Sequence, residues 1–284
     1  MSKGYILCDA ANWMHRGYHV APELQSKGRK TGALFVSLSM LATLGDLVSH
    51  QSVIFLWDSY PSWRKTFVPE YKQSRNYSED NADRKALYAQ MGVFQNLLSA
   101  VGVRQFKSPN LEADDLAGIL TEMFVRKGKE VILVSSDKDW YQLLQPGVTQ
   151  LRGWKGKVGD WWTAERVEKE LGVKPSNWVE YLALLGKKND VPKALRRGAG
   201  EKVAIKYLTG EYKLLPEEET QFLMNLRVTR VMRGLPKHKL QQAAIPFLKN
   251  REQFGWAVLE ATLKEYEFHS IWGERKRIWE VGKW

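Results

Sequence analysis

One cysteine, Cys8, in 284 residues leaves no internal disulfide and no cysteine-rich zinc site. It falls inside an apolar run and reads as a small buried hydrophobe. The five histidines, His15, His19, His50, His238 and His269, show no ligand spacing and read as structural or surface residues. No signal peptide and no apolar run long enough to span a membrane is visible, so a cytoplasmic protein without membrane contact is expected. The basic segments lack the amphipathic pattern of a membrane-surface helix. No internal repeat is visible, and no Ser/His/Asp or Cys/His set is laid out for nucleophilic catalysis. Acid is scarce: 32 Asp+Glu stand against 43 Lys+Arg, a net charge of +11.

That shortage makes local concentrations of acid informative. Asn110-Leu-Glu-Ala-Asp-Asp-Leu-Ala-Gly118 puts Glu112, Asp114 and Asp115 at the start of a helix-period segment (Leu116, Ile119, Leu120, Met123, Phe124). A first helical turn tolerates one or two acids because its free N–H groups and dipole are positive. Mutual repulsion raises the cost of a third, so a cation belongs among them. Mg2+ fits, since it takes carboxylate oxygens and keeps several waters. Three apolar runs read as parallel strands and end in acid: Tyr5–Cys8 into Asp9, Ser52–Trp57 into Asp58, and Glu130–Ser136 into Asp137-Lys-Asp139. One strand-end Asp is a common helix cap. Acids at the matching ends of several parallel strands occupy the edge where open α/β sheets place ligands.

The spacing predicts helices over Thr31–His50, Arg84–Val101, Trp140–Leu144, Thr163–Leu171 (with Gly172 as C-cap), Trp178–Leu185 and Val203–Leu208. It predicts short strands over Val103–Phe106 and Val148–Leu151 and a largely helical remainder over Glu217–Trp284. Residues 59–83 break the pattern and read as too polar to pack as core, hence a functional insertion or a solvated loop. Lys72 and Arg75 lie there, with Tyr71 and Tyr77 as candidates for stacking on bases. A boundary near Lys174 divides an α/β part, 1–173, from a smaller all-helical part, 174–284. In the latter, Gly198-Ala-Gly200 opens a helix amid many cations, a pattern that cradles phosphate on backbone N–H groups.

A basic protein with clustered carboxylates points to nucleic acid and to hydrolysis of phosphodiesters by two metal ions about 4 Å apart. Trp63, Trp161 and Trp162 are assigned no role, since most Trp residues are core or half-buried.

The order of Asp9 with Asn12 and Arg16, Asp58 with Arg64, Pro69-Glu-Tyr-Lys-Gln-Ser-Arg75, Glu112-Ala-Asp-Asp115, Ser136-Asp-Lys-Asp139 and the Gly-Ala-Gly turn resembles the 5′-nuclease family, its phage branch in particular. The resemblance covers about residues 5–210. It implies a PIN-like, mostly parallel sheet flanked by helices, with a helical arch at about 59–100 and a helix-two-turn-helix in the second part. It implies a 5′-3′ exonuclease and flap endonuclease acting on DNA or RNA/DNA hybrids, with RNA primer removal in replication. One Mg2+, for which Mn2+ can substitute, would be held by Asp9, Asp58, Glu112, Asp114 and Asp115. A second, weaker site would use Asp115, Asp137, Asp139 and Asp190. Lys72, Arg75, Asp115 and Asp137 would be catalytic. Nucleic acid would meet Asn12, Arg16, Arg64, Tyr71, Lys72, Arg75, Arg196, Arg197, Gly198, Gly200 and Lys202, with K+ at the helix-two-turn-helix. A monomer working with replication proteins, in the host cytoplasm if phage-encoded, is the expected setting.

One position departs from the family. Gly186-Lys-Lys-Asn-Asp190 stands where Gly-Asp-x-x-Asp is usual, so Lys187 replaces an acid and the second metal site is in question. The rival expectation is a DNA-structure-binding protein on the same fold with impaired or absent catalysis. A single-domain ribonuclease and a small-molecule phosphatase are disfavoured, the first by residues 174–284 and the second by the basic charge.

Overall fold

The computed structural model describes residues 4–48, 51–72, 82–187 and 190–283. Its strands are β1 (Tyr5–Asp9), β2 (Gln25–Ser26), β3 (Arg29–Lys30), β4 (Ser52–Trp57), β5 (Arg104–Lys107), β6 (Val131–Val134), β7 (Val148–Lys155) and β8 (Val158–Trp162). The central sheet runs β5-β4-β1-β6-β7-β8, while β2 and β3 form a separate hairpin. Pairing is parallel from β5 to β7, and β8 closes the far edge antiparallel to β7. Tyr5 faces both Ser52 and Val131 in register, so β1, β4 and β6 end on one edge of the sheet. The chain first steps outward from β1 to β4 and β5, then returns to β6 on the other side of β1. The crevice between β1 and β6 is therefore the point where strand order reverses, the usual ligand position in such sheets.

The helices are α1 (Ala10–Val20), α2 (Gly32–Leu47), α3 (Ala82–Val101), α4 (Ala113–Val125), α5 (Ala164–Leu171), α6 (Trp178–Leu185), α7 (Glu201–Leu208), α8 (Pro216–Thr229), α9 (Lys237–Gln242), α10 (Arg251–Glu265) and α11 (Arg275–Val281). Alternation along the buried strands feeds two cores. Ile6, Cys8, Val53 and Phe55 pack against α1, α2 and α3 on one face. Leu7, Ile54, Leu56 and Leu133 pack against α4 and α6 on the other. Leu259, Leu263, Ile278 and Val281 of α10 and α11 enter the first core, and Phe222 of α8 enters the second. Residues beyond 174 thus complete both cores.

Several local expectations are met where the chemistry demanded them. Thr163 accepts the Arg166 N–H at the start of α5, and Gly172 ends it in a left-handed conformation at φ 70°. Others change. Residues 148–155 continue past Leu151 and turn back at Gly156 into β8, a hairpin the sequence spacing did not suggest. The expected helical run over 217–284 is interrupted at Arg230–Pro236 and Ala243–Asn250. The first break crosses α4 so closely that a Cβ on Gly118 would lie 2.3 Å from the Met232 carbonyl oxygen. The second pairs with β5, through Lys107 N–H to the Ala243 carbonyl and Ile245 N–H to the Gln105 carbonyl.

Residues 59–72 are not a solvated loop. A 3₁₀ turn at Trp63–Thr66 and the segment up to Lys72 fold inward, burying Ser62, Arg64, Tyr71 and Lys72. Arg64 and Lys72 neutralise Asp115 and Glu112 beneath them, the Tyr71 hydroxyl donates to Glu112, and the Ser62 hydroxyl caps the 3₁₀ turn by accepting the Arg64 N–H. Beyond the gap in the described residues, α3 buries Leu87, Phe94, Leu97 and Leu98 in the first core. Arg75 and Tyr77, and with them the middle of the expected arch, lie outside the described residues. Among the described residues no helix is long and apolar enough to cross a membrane.

Candidate active site

The strand ends converge on an open cleft of about 970 Å³. Asp9, Asp58, Asp114, Asp137, Asp139 and Asp190 line it, with Lys72 and Lys187 among them. Asp9, Asp58 and Asp137 are each held by a backbone N–H. Asp9 ends β1 and caps α1, accepting the Asn12 N–H at 2.9 Å. Its other oxygen takes the Ser135 hydroxyl at 3.1 Å. Asn12 then bonds Ser136, donating to its hydroxyl at 2.8 Å and accepting its backbone N–H at 3.0 Å. The β1–β6 crevice is stitched by these contacts. Asp58 accepts the Ala113 N–H at 2.8 Å, which ties the end of β4 to the first turn of α4. Asp137 caps the 3₁₀ helix Lys138–Leu143 through the Asp139 N–H at 2.9 Å.

The three acids at the head of α4 separate into different roles. Asp114 faces the cleft and accepts the Trp140 indole N–H at 2.6 Å. Glu112 accepts the Lys72 ammonium at 2.9 Å and the Tyr71 hydroxyl at 3.2 Å on one oxygen. Its other oxygen, Oε1, is buried and has no hydrogen-bond partner among the described residues. Asp115 is 0% exposed and accepts five hydrogen bonds: two from Arg64 and one each from the Trp63 indole, Glu112 N–H and Met232 N–H.

This corrects several expectations. Asp115 has no oxygen left for an ion and acts as a structural anchor. Arg64, expected at nucleic acid, is buried against Asp115 and also donates to the Val228 carbonyl at 2.6 Å. Tyr71 is buried with its hydroxyl on Glu112, so its ring is not presented to bases. Arg16 turns away from the cleft, donating to the Arg152 carbonyl at 3.2 Å. His15 and His19, read as structural or surface, are exposed as that reading expects, on the cleft wall beside Tyr18.

Burial and mutual repulsion dominate the electrostatics. Burial, then the neighbouring Asp58, pushes the Asp9 carboxyl up to about 7 against the pull of the Asn12 N–H. Burial, then Asp137 and Asp9, pushes Asp114 well above the usual carboxylate range. Burial also presses upward on Asp137, but the Lys187 ammonium and the Asp139 N–H outweigh it and hold Asp137 low. Asp139 is raised by burial and by Asp137, although Lys187 lies nearer to it.

Among the described residues no group of three or more acidic, histidine or cysteine side chains is arranged to hold a metal ion. The protein's own cations stand among the acids. On the side of Asp9, Asp58, Glu112 and Asp114 the chemistry of the donors suits a hard divalent ion, although the four are not drawn together around one point. The donors are all oxygen, two of the carboxyls are raised by burial and then by their neighbours' charge, and Glu112 Oε1 lacks a partner among the described residues. On the side of Asp137 and Asp139 the donors do not suit one, because the Lys187 ammonium lies 3.3 and 2.7 Å from those carboxylates.

In the expected duplex-binding turn, Gly198 has φ 87° and Gly200 caps α7. Arg196, Arg197 and Lys202 are exposed around it. The Ala199 carbonyl of this turn accepts from the Lys193 ammonium. Residues that the sequence reading passed over are Trp63, Trp140 and Ser135. Each donates to a site acid, and the two indoles directly adjoin Arg64 and Asp139 in the chain.

Residues 4–172 match the family described as 5′-3′ exonuclease, N-terminal resolvase-like domain. The chain is 33% identical over 206 residues to a 5′-3′ exonuclease of Aquifex aeolicus, a match covering 72% of this chain and 68% of that one. It is 32% identical over 205 residues to DNA polymerase I of Deinococcus radiodurans, where the match covers 72% of this chain but spans only 20% of the polymerase. The structure of T5 5′-exonuclease with bound divalent metal ions (zinc) superposes with a TM-score of 0.64 at 16% identity, covering 98% of this chain and 99% of that one, which shows the same fold.

Proposed function

We propose that this chain, which belongs to the 5′-3′ exonuclease N-terminal resolvase-like domain family, is a structure-specific 5′ nuclease. It would hydrolyse phosphodiesters at the 5′ ends and 5′ flaps of DNA and of RNA/DNA duplexes, including RNA primers in replication. The observation that carries the reading is the set of strand-end and helix-start carboxylates gathered in one cleft of a chain with net charge +11. Acids so placed repel a phosphodiester unless a divalent ion joins them, while the surrounding positive charge draws nucleic acid in.

Asp9, Asp58, Glu112 and Asp114 would hold Mg2+, with Mn2+ as a substitute. That ion supplies a water of lowered pKa and offsets charge at phosphorus. In the hydrolysis a water oxygen would bond to phosphorus and give up a proton while one ester P–O bond breaks and the departing oxygen takes up a proton in its place. Trp140 orients Asp114, Asn12 and Ser135 orient Asp9, and Arg64 with Asp115 fixes the start of α4. Lys72, at the cleft wall, would meet the phosphate once an ion competes for Glu112. Residues 1–173 would form the nuclease part and 174–284 the duplex-gripping part, with Arg196, Arg197 and Lys202 on the backbone and a K+ competing with Lys193 at the Gly198–Gly200 turn. A monomer acting in the cytoplasm with replication proteins completes the proposal.

A labelled 5′-flap substrate tests it. Cleavage at the flap base or stepwise from the 5′ end in Mg2+, abolished by EDTA, is the expected outcome. Lys187 favours a second reading, a protein that binds branched DNA without cutting it. Tight flap binding with no cleavage in either Mg2+ or Mn2+ would decide for that one.

A further inference from the structure

We infer that the Lys187 ammonium takes the place of a second divalent ion, so that the chain binds one ion and carries the other positive charge on its own side chain. The inference rests on the nuclease reading of the cleft and deepens it.

Three carboxylates from two distant chain segments converge on this nitrogen. It lies 2.7 Å from Asp139 Oδ2, 3.3 Å from Asp137 Oδ2 and 3.9 Å from Asp190 Oδ2. Oxygens from the end of β6 and from the turn after α6 are the donors a hard cation would recruit. The ammonium is there by construction. Gly186 ends α6 at φ 68°, with Pro192 and Lys193 backbone atoms so close that a Cβ would come within 2.6 Å of the Lys193 nitrogen. The Lys187 N–H donates to the Val191 carbonyl, and the Asp190 and Val191 N–H groups donate to the Lys187 carbonyl. These bonds tie Lys187 to Asp190 and Val191, and the Lys187 side chain enters the cleft between Asp139 and Asp190.

Lys187 also lines a smaller cavity of about 400 Å³ that shares Asp114, Asp137, Asp139 and Asp190 with the main cleft. It therefore stands between the two spaces. An ammonium has three donors. Two go to Asp139 and Asp137. The third is suited to a phosphate oxygen, the contact a second ion would otherwise make. A lysine is a point charge that needs no loading, so this half of the site works at any ion concentration.

The test is Mn2+ binding to the whole chain, read from the free-ion signal in electron paramagnetic resonance. Wild type is expected to bind one Mn2+, and Lys187→Asp to bind two. In the wild-type background, Asp139→Asn should leave the count at one, because its carboxylate serves Lys187 and not an ion. Two ions on the wild type, falling to one in Asp139→Asn, would overturn the inference, and that result stands whether or not Lys187→Asp folds. Flap cleavage measured on the same preparations separates the two claims. One ion with no cleavage would sink the nuclease reading alone, and cleavage with two ions would sink this inference alone.

Discussion

The Arg64 guanidinium grips both carboxylate oxygens of Asp115, at 2.7 and 2.9 Å, with the two side chains 2% and 0% exposed. Burial works against the charge on Arg64, but Asp115 outweighs it and holds the guanidinium protonated. Bidentate geometry makes such a pair strong, and the Trp63, Glu112 and Met232 donors satisfy the remaining lone pairs. The pair links the 3₁₀ turn at Trp63, the head of α4 and the segment crossing at Met232.

Breaking this pair from one side should therefore destabilise the protein more than it perturbs ion binding. Asp115→Ala leaves a buried guanidinium without its partner, at a cost of about 3–5 kcal/mol. Urea unfolding should show a loss of that size, whereas Mn2+ affinity measured below the transition should change little. A stability loss under about 1 kcal/mol would contradict the anchoring role.

Asp114→Asn should do the opposite. Asp114 is raised by burial and by repulsion from Asp137 and Asp9, and an amide oxygen can still accept the Trp140 N–H. Removing the charge should stabilise the ion-free protein by roughly 0.5–2 kcal/mol. It should also weaken Mg2+ binding and reduce cleavage sharply. Thermal melts in EDTA and in Mg2+ read both effects, with the variant melting higher than wild type in EDTA and gaining less from the ion.

The pH dependence follows from Asp9, held at about 7 in the fold against an ordinary 3.8. Below its ordinary value the group is protonated folded or unfolded and costs nothing. Between roughly pH 4 and 7 the unfolded chain releases the proton that the fold retains, so ion-free stability falls as pH rises, and above 7 the full penalty is present. A bound divalent ion displaces that proton. The gain in melting temperature on adding saturating Mg2+ should be larger near pH 8 than near pH 6. An equal gain at both would remove Asp9 from the ion's ligands.

Duplex binding should be independent of sequence and steeply dependent on salt, with a log–log slope of roughly −0.9 per phosphate neutralised. Arg196, Arg197 and Lys202 are exposed around the Gly198–Gly200 turn. Replacing any one by Ala should flatten the slope by about one unit. A slope unchanged in all three variants would place the duplex on another face.

The edge of the sheet was legible in the chain because each buried strand is a continuous apolar run broken by an acid, and parallel pairing aligns those breaks. The need for positive charge among Glu112, Asp114 and Asp115 was legible as well. What could not be read was which cation answers it. Arg64 and Lys72 lie 51 and 40 residues away from their partners in the chain, and local sequence counts cations without showing where they point. The polarity of residues 59–83 left a functional insertion and a solvated loop both open for the same reason, since a charge buried against its counter-ion looks in sequence like a charge in water. At Lys187 the sequence showed an ammonium where the family has an acid, without showing what that ammonium faces. The turn closed by Val191 decides for the acids.

The pairing of Ala243–Ile245 along β5 bears on how the protein survives damage. β5 is the terminal strand of the sheet, and this segment covers part of its otherwise open hydrogen-bonding rim. An uncovered rim is a template on which a second molecule can lay a strand. A nick that frees the residues following Gln242 would expose that rim and strip Leu259, Leu263, Ile278 and Val281 from the first core. Such a fragment is expected to self-associate through its sheets, so proteolysis in this connection would show as turbidity before it showed as slower cutting.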